Sequence, residues 1–210
     1  MQTSIPQALA SLAILLPAFL LAVSFHEFCH AFTAHLLGDN TARRQGRLTL
    51  NPLAHIDPVG LLCLLIFRFG WATPVPMNSN NFRHPYIYTV ISALAGPAGN
   101  FVLALACLLI FRWLPVDLLS ATAMHTLGQL LNVMADVNIM LGTFNLLPIP
   151  PLDGGHIIAA FLNRYYPRAA ILLYRYAFFL LLLIFMLPPS QQLLNHATTT
   201  VGTFLRNIIF

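Results

Sequence analysis

Ser24-Phe25-His26-Glu27-Phe28-Cys29-His30-Ala31-Phe32 places an H-E-x-x-H pattern inside a nearly continuous apolar run from Ala8 to Leu37. Such a run exceeds the roughly 20 residues a helix needs to cross a bilayer. On a helix, residues four apart differ by about 40° around the axis and about 6 Å along it, so His26 and His30 can present their imidazoles to one ion. Glu27 then stands about a quarter turn round, beside the ion. A carboxylate there can take a proton from a zinc-bound water, whose pKa the metal lowers to about 7. Glu27 is the only glutamate in the chain, and a charge at membrane depth is costly enough to call for a function. The competing reading is a buried pair of hydrogen-bonded histidines with Glu27 neutral or paired. It leaves three ionisable groups within five apolar-flanked residues unexplained.

Composition agrees with a membrane setting. Of 210 residues, 58% are hydrophobic and 8% charged, whereas about a quarter of the residues of an ordinary soluble domain are charged. The length suits one membrane-embedded domain over residues 1–210. The ten positive charges are all arginine and the formal net charge is +4. These arginines flank apolar runs rather than forming a solvated basic face, so the bilayer with its anionic headgroups is the expected partner and nucleic acid is excluded. Cys29, Cys63 and Cys107 lie in apolar stretches and offer neither a disulfide framework nor a C-x-x-C pair. The N-terminus lacks a basic n-region, so the first apolar run is read as a retained span.

Outward from that run, Gly38-Asp39-Asn40 ends the helix, and Arg47-Leu48-Thr49-Leu50-Asn51 alternates as a short strand would. Val59–Phe69 is apolar but too short to cross, which predicts a re-entrant segment followed by the extended, proline-rich 70–78. A second span is expected over Tyr86–Phe111, kinked at Pro97, with Asn100 available to hydrogen-bond between helices. A third runs from Ala121 to Leu147 and a fourth from Ala169 to Leu187; the tail to Phe210 reads as an interfacial helix. The fold expected is therefore an α-helical multi-pass membrane protein with about four transmembrane helices and a re-entrant, β-like segment between the first two. If the loop after the first span is cytoplasmic, Arg43, Arg44, Arg47, Arg83, Arg164 and Arg168 fall inside, with Arg68 and Arg175 near that face. The ends of the first and third spans then share that side.

A catalytic zinc needs three protein ligands and an open position. Asp117 belongs to the opposite face, Asp136 to mid-span, and Asp39 and Asp57 to turns. Asp153, between Pro148-Ile149-Pro150-Pro151 and Gly154-Gly155, sits where the helix breaks and a carboxylate can swing inward; it is preferred as third ligand over a role as helix N-cap. His156 competes with it. His35 should face away from the pair. His55 lies in the loop, from which it could reach the site as a hydrogen-bond donor or oxyanion stabiliser.

His26-Glu27-Phe28-Cys29-His30, together with Asn145-x-x-Pro148-x-x-x-Leu152-Asp153-Gly154, resembles the paired signature of the site-2 protease family of intramembrane zinc metalloproteases, peptidase family M50. The likeness continues through Thr49-Leu50-Asn51-Pro52, His55-Ile56-Asp57-Pro58, Gly70-Trp71-Ala72, Pro74-Val75-Pro76 and Asn81-Phe82-Arg83. It departs at Thr73, where many bacterial relatives carry lysine, and at Ser79, where proline is frequent. The resemblance implies one Zn2+ per chain held by His26, His30 and Asp153, Glu27 as the catalytic carboxylate, and Asn145 as a substrate-positioning or oxyanion residue. It also implies cleavage of a transmembrane protein substrate within or next to its membrane segment, in a cell membrane of the bacterial inner-membrane kind, with the active site toward the cytoplasm. Arg47–Asn51 or Thr73–Asn78 is expected to hold the unwound substrate by strand addition. There is no PDZ or CBS module, and a regulatory membrane partner or a homo-oligomer stays open. Two rival functions remain at this point: a divalent-metal transporter, since intramembrane His and Asp also line ion pathways, and a non-proteolytic membrane scaffold.

Overall fold

The structure, a computed structural model, describes residues 5–67, 70–114 and 120–210. Its first helix, α1 (Ile5–Leu36), ends on Gly38, whose φ of 108° suits a residue without a Cβ. The Gly38 amide donates to His35 O and the Asp39 amide to Ala34 O, the paired bonds that close a helix C-terminus. A short turn of helix, α2 (Thr41–Arg44), follows. Asp57 then caps α3 (Pro58–Phe67) by accepting from the Gly60 amide at 2.8 Å. The helix has 10 residues, about 15 Å, too short to cross a bilayer. An isolated antiparallel bridge between Ile56 and Ala72 closes the neck of this excursion. Arg68, counted above toward the charge bias, and Asp117 lie outside the described residues.

The longer helices are α4 (Pro85–Arg112), α5 (Ala121–Asn145), α7 (Pro167–Met186) and α8 (Pro188–Ile209), with α6 (Asp153–Tyr165) between α5 and α7. Proline opens α4, α7 and α8, where its missing amide costs no hydrogen bond. Among the described residues, three segments are long and apolar enough to cross a membrane: Leu12–Leu36, Pro85–Arg112 and Pro167–Ile184. The expected third span is a helix, α5, yet Gln129, Asn132, Asp136 and Asn138 keep it out of that set. Helices α1, α4 and α5 pack against one another. Ala104, Cys107 and Leu108 of α4 meet Leu131, Ala135 and Ile139 of α5, while Ala18 and Ala22 of α1 meet Val137. Small side chains at these contacts let the helix axes approach closely. The tail differs from a helix lying free at the interface: α8 docks along α5, with Val201, Leu205 and Ile209 against the α4–α5 core.

The expected strand at Arg47–Asn51 does not form, and no sheet occurs among the described residues. Leu48 packs with Ala31, Ala42 and Val75, while the Arg47 guanidinium, rather than a backbone edge, reaches the carbonyls of Thr73 and Pro74. A side chain has taken the place of the ladder. The segment 73–78 is extended without pairing as a strand. Asp39 anchors it: its buried carboxylate accepts from the Asn78 amide at 2.7 Å, the Asn81 side chain at 2.7 Å, and both the amide and hydroxyl of Thr41. Burial opposes ionisation of Asp39, but these bonds outweigh it and hold the carboxyl below the usual carboxylate range.

Candidate metal centre

His26 and His30 lie one turn apart on the face of α1 that meets α4, and both are buried. Their Nε2 atoms are 3.0 Å apart. The chain after α5 folds back over the first turn of α6, where a Cβ on Gly154 or Gly155 would collide with the backbone of residues 146–150. That tuck delivers Asp153. Its Oδ2 lies 3.1 Å from His26 Nε2 and its Oδ1 3.2 Å from His30 Nε2. The first turn of α6 has no side-chain cap, so the carboxylate serves the histidines rather than the helix end.

The hydrogens decide what these three groups can hold. His30 Nδ1 is 2.7 Å from the carbonyl of Ser92, and His26 Nδ1 is 2.5 Å from Asn100 Oδ1. Both partners only accept, so both Nδ1 atoms carry the hydrogen and, in the neutral rings, both Nε2 atoms are bare. With both rings neutral, two lone pairs and a carboxylate face one another, and Asp153 Oδ2 is buried without a hydrogen bond. A cation relieves that repulsion. Ligands about 2.0–2.2 Å from a tetrahedral ion stand roughly 3.4 Å apart, close to the separations found here. The set has zinc chemistry: two imidazole nitrogens and one carboxylate oxygen. Gly96 of α4 lets the two rings pack against its backbone, for a Cβ there would overlap His30 Nε2 and lie 2.7 Å from His26 Cε1.

Glu27 is buried, and its Oε2 accepts from the Val75 amide at 2.8 Å. Pro74 and Pro76 have no amide hydrogen, so within Pro74-Val75-Pro76 the one available donor is spent on this carboxylate.

Comparison with known proteins agrees with this chemistry. The sequence model of Peptidase family M50 matches residues 114–184, the stretch that carries Asp153. A Bacillus subtilis protein named "Putative zinc metalloprotease YwhC" is 43% identical over 143 residues, covering 66% of this chain and 65% of that protein. Over these stretches the chain is similar to peptidase family M50, the site-2 protease family. "Putative zinc metalloprotease Rip2" of Mycolicibacterium smegmatis is 36% identical over 165 residues, 74% of this chain and 60% of that protein. Its Mycobacterium tuberculosis H37Rv counterpart is 33% identical over 161 residues, 73% and 59% respectively. The chain thus spans less than two thirds of the length of these M50 relatives. No solved structure matches it.

Of the remaining residues singled out from the M50 pattern, neither Asn145 nor His55 has a hydrogen bond to the cluster. Asn145 turns its amide back to Leu141 O at 2.9 Å. His55 is buried, donates from Nε2 to Thr49 O at 2.9 Å, and lines a small cavity with Phe19, Leu20 and Trp71. His156 bonds the Pro151 carbonyl and stays outside the cluster; burial pushes its imidazole below the ordinary range, against the pull of Asp153. His35 faces Asn40 and Arg43, away from the pair. The sequence assigns no site role to Ser92 or Gly96, places Val75 only within a candidate substrate-holding edge, and favours for Asn100 an interhelical bond over substrate contact. Ser92, Gly96 and Asn100 recur every four residues, one buried face of α4.

Proposed function

We propose that this chain is an intramembrane zinc metalloendopeptidase, one membrane-embedded unit over residues 1–210, that hydrolyses peptide bonds in or near the transmembrane segment of a membrane-protein substrate. The convergence of His26 Nε2, His30 Nε2 and the Asp153 carboxylate carries this reading. Zinc held by these residues supplies a Lewis acid that polarises a carbonyl and lowers the pKa of water. Glu27 takes the proton of the attacking water and returns it to the leaving amine. The Val75 amide holds Oε2 of that carboxylate, which leaves Oε1 for the transfer. Asn145 and His55 are assigned contact with the substrate or the oxyanion, a kind of bond worth about 3 kcal/mol elsewhere. His55 Nδ1, buried with no partner, is consistent with such a role.

In this reading α1, α4, α5 and α7 all cross the bilayer and α3 is re-entrant. The polar residues of α5 support a fourth crossing because they are satisfied within the protein: Asn132 and Asn138 bond their own helix and Asp136 pairs with Arg206 at 2.6 Å. The arginine-rich loop after α1 sets the catalytic end toward the cytoplasm.

The deciding experiment compares wild type with Glu27→Gln in proteoliposomes containing single-span membrane proteins, with zinc measured on both. Wild type is expected to cleave; Glu27→Gln is expected to keep zinc and lose cleavage by at least a hundredfold. Zinc flux into the vesicles, undiminished in the variant, would identify a transporter instead; wild type that holds no zinc would point to a scaffold.

A further inference from the structure

An amide side chain can turn either end toward a histidine, and only one end suits a metal ligand. If Asn100 offered its NH2 group, His26 Nδ1 would have to accept, the ring hydrogen would move to Nε2, and that nitrogen would be lost as a ligand. Asn100 is fully buried, so its end-for-end choice is made by protein groups alone. Two of them make it. Asn100 Nδ2 lies 3.2 Å from the carbonyl of Ala22 on α1, and 2.8 Å from Asn138 Oδ1 on α5. The Ala22 carbonyl only accepts. Asn138 is itself fully buried, and its Nδ2 is committed to the Met134 carbonyl at 2.8 Å, which leaves its oxygen facing Asn100.

We propose that Asn138 and Asn100 form a directional amide relay, running from the Met134 carbonyl of α5 through α4 to α1, that sets the tautomer of His26 and so makes Nε2 its metal-binding atom. Each link has a donor on one side and an acceptor on the other, and reversing any link leaves two donors or two acceptors in contact in a buried site. Asn100 and Asn138 are positioning residues; neither reaches the ligand cluster except through His26. His30 needs no such device, because its Nδ1 meets the backbone carbonyl of Ser92, which cannot turn round. The inference rests on reading His26 as a metal ligand, but the tautomer can be observed without metal.

The test uses the full chain, 15N-labelled at histidine, in lipid nanodiscs. Ring nitrogen shifts are read without metal, and zinc affinity is then read by chelator competition. Wild type is expected to show His26 as the Nδ1–H tautomer. Asn100→Leu is expected to mix the tautomers and weaken zinc about ten- to a hundredfold, the usual cost of losing a partner behind a metal ligand. Asn138→Leu removes one of the two groups that orient Asn100, so a smaller loss in the same direction is expected. Asn138→Asp, protonated in this buried site so that it still donates to the Met134 carbonyl, accepts from Asn100 and is expected to keep the Nδ1–H form, separating the relay from a packing effect and serving as the second probe if Asn100→Leu does not fold. An Nδ1–H tautomer for His26 in both leucine variants, with zinc affinity within twofold of wild type, overturns the relay. Wild type with the expected tautomer and no zinc binding upholds the relay and overturns the metal reading instead.

Discussion

A methyl group at position 96 would enter the space now shared by two imidazole edges, overlapping His30 Nε2 and standing 2.7 Å from His26 Cε1. Neither ring can retreat without giving up its Nδ1 bond, to Ser92 O or to Asn100 Oδ1. Gly96→Ala is therefore expected to lower zinc affinity at least tenfold while leaving helix content unchanged, as read by metal analysis and circular dichroism; full zinc occupancy in the variant would refute the crowding argument. The meeting of His26, His30 and Asp153 was legible, because a spacing of four on a helix and a carboxylate at a helix break have few other uses in lipid. What stands behind them was not. Ser92, Gly96 and Asn100 share a face by spacing, but only the packing of α4 on α1 turns that face toward His26. Asn145 shows the opposite limit: its motif suggested a role at the site, and a carbonyl one turn back in its own helix offers its amide a nearer partner.

Asp39 illustrates how a turn residue comes to hold several segments at once. It follows α1 directly, yet it gathers Thr41, Asn78 and Asn81, and so fixes the extended segment whose Val75 amide reaches Glu27. Its carboxyl is held below its ordinary range in the folded chain. The ionised form therefore stabilises the fold above the unfolded-state pKa of about 4, and that contribution is lost as pH falls through the lower folded-state value. Acidification from pH 6 to pH 3 is expected to lower the melting temperature of wild type more than that of Asp39→Asn, which should already be the less stable at pH 6. Parallel melting curves for the two proteins would argue against this role. Helices were readable from apolar runs, prolines and caps, whereas the short strand was not: five alternating residues satisfy a period of two by chance as easily as by pairing. The polar side chains of α5, which lower its hydropathy, are spent on its own carbonyls, on Asn100 and on Arg206.

The molecule as a whole divides into an inner trio, α1, α4 and α5, that holds the centre together with Asp153 from the first turn of α6, and the outer helices α7 and α8, which contribute nothing to it. Helix α7 packs chiefly on α6 and α8 and turns Phe178 and Phe179 outward, 70% and 64% exposed, a face that only an apolar surrounding would tolerate. Leu108, 1% exposed, sits in the α4–α5 core with Ala104, Leu131 and Ile139, away from the ligand face of α4. Leu108→Ala should cost about 2–5 kcal/mol of stability through the cavity it leaves, with zinc content unchanged; thermal unfolding and metal analysis on one sample check both halves. Zinc lost in proportion to stability would mean that the trio and the centre are one cooperative unit.

The extended stretch beside Glu27 also limits how a guest chain can be gripped. The Thr73 amide goes to His55 O, that of Val75 to Glu27 and that of Asn78 to Asp39, while Pro74 and Pro76 have none, which leaves Met77 as the one uncommitted main-chain donor from 73 to 78. A polypeptide drawn alongside finds carbonyls but too few amides to zip onto, so shape and side-chain fit must do most of the holding. For the endopeptidase proposed above, fragments retained by so few main-chain bonds are expected to leave quickly.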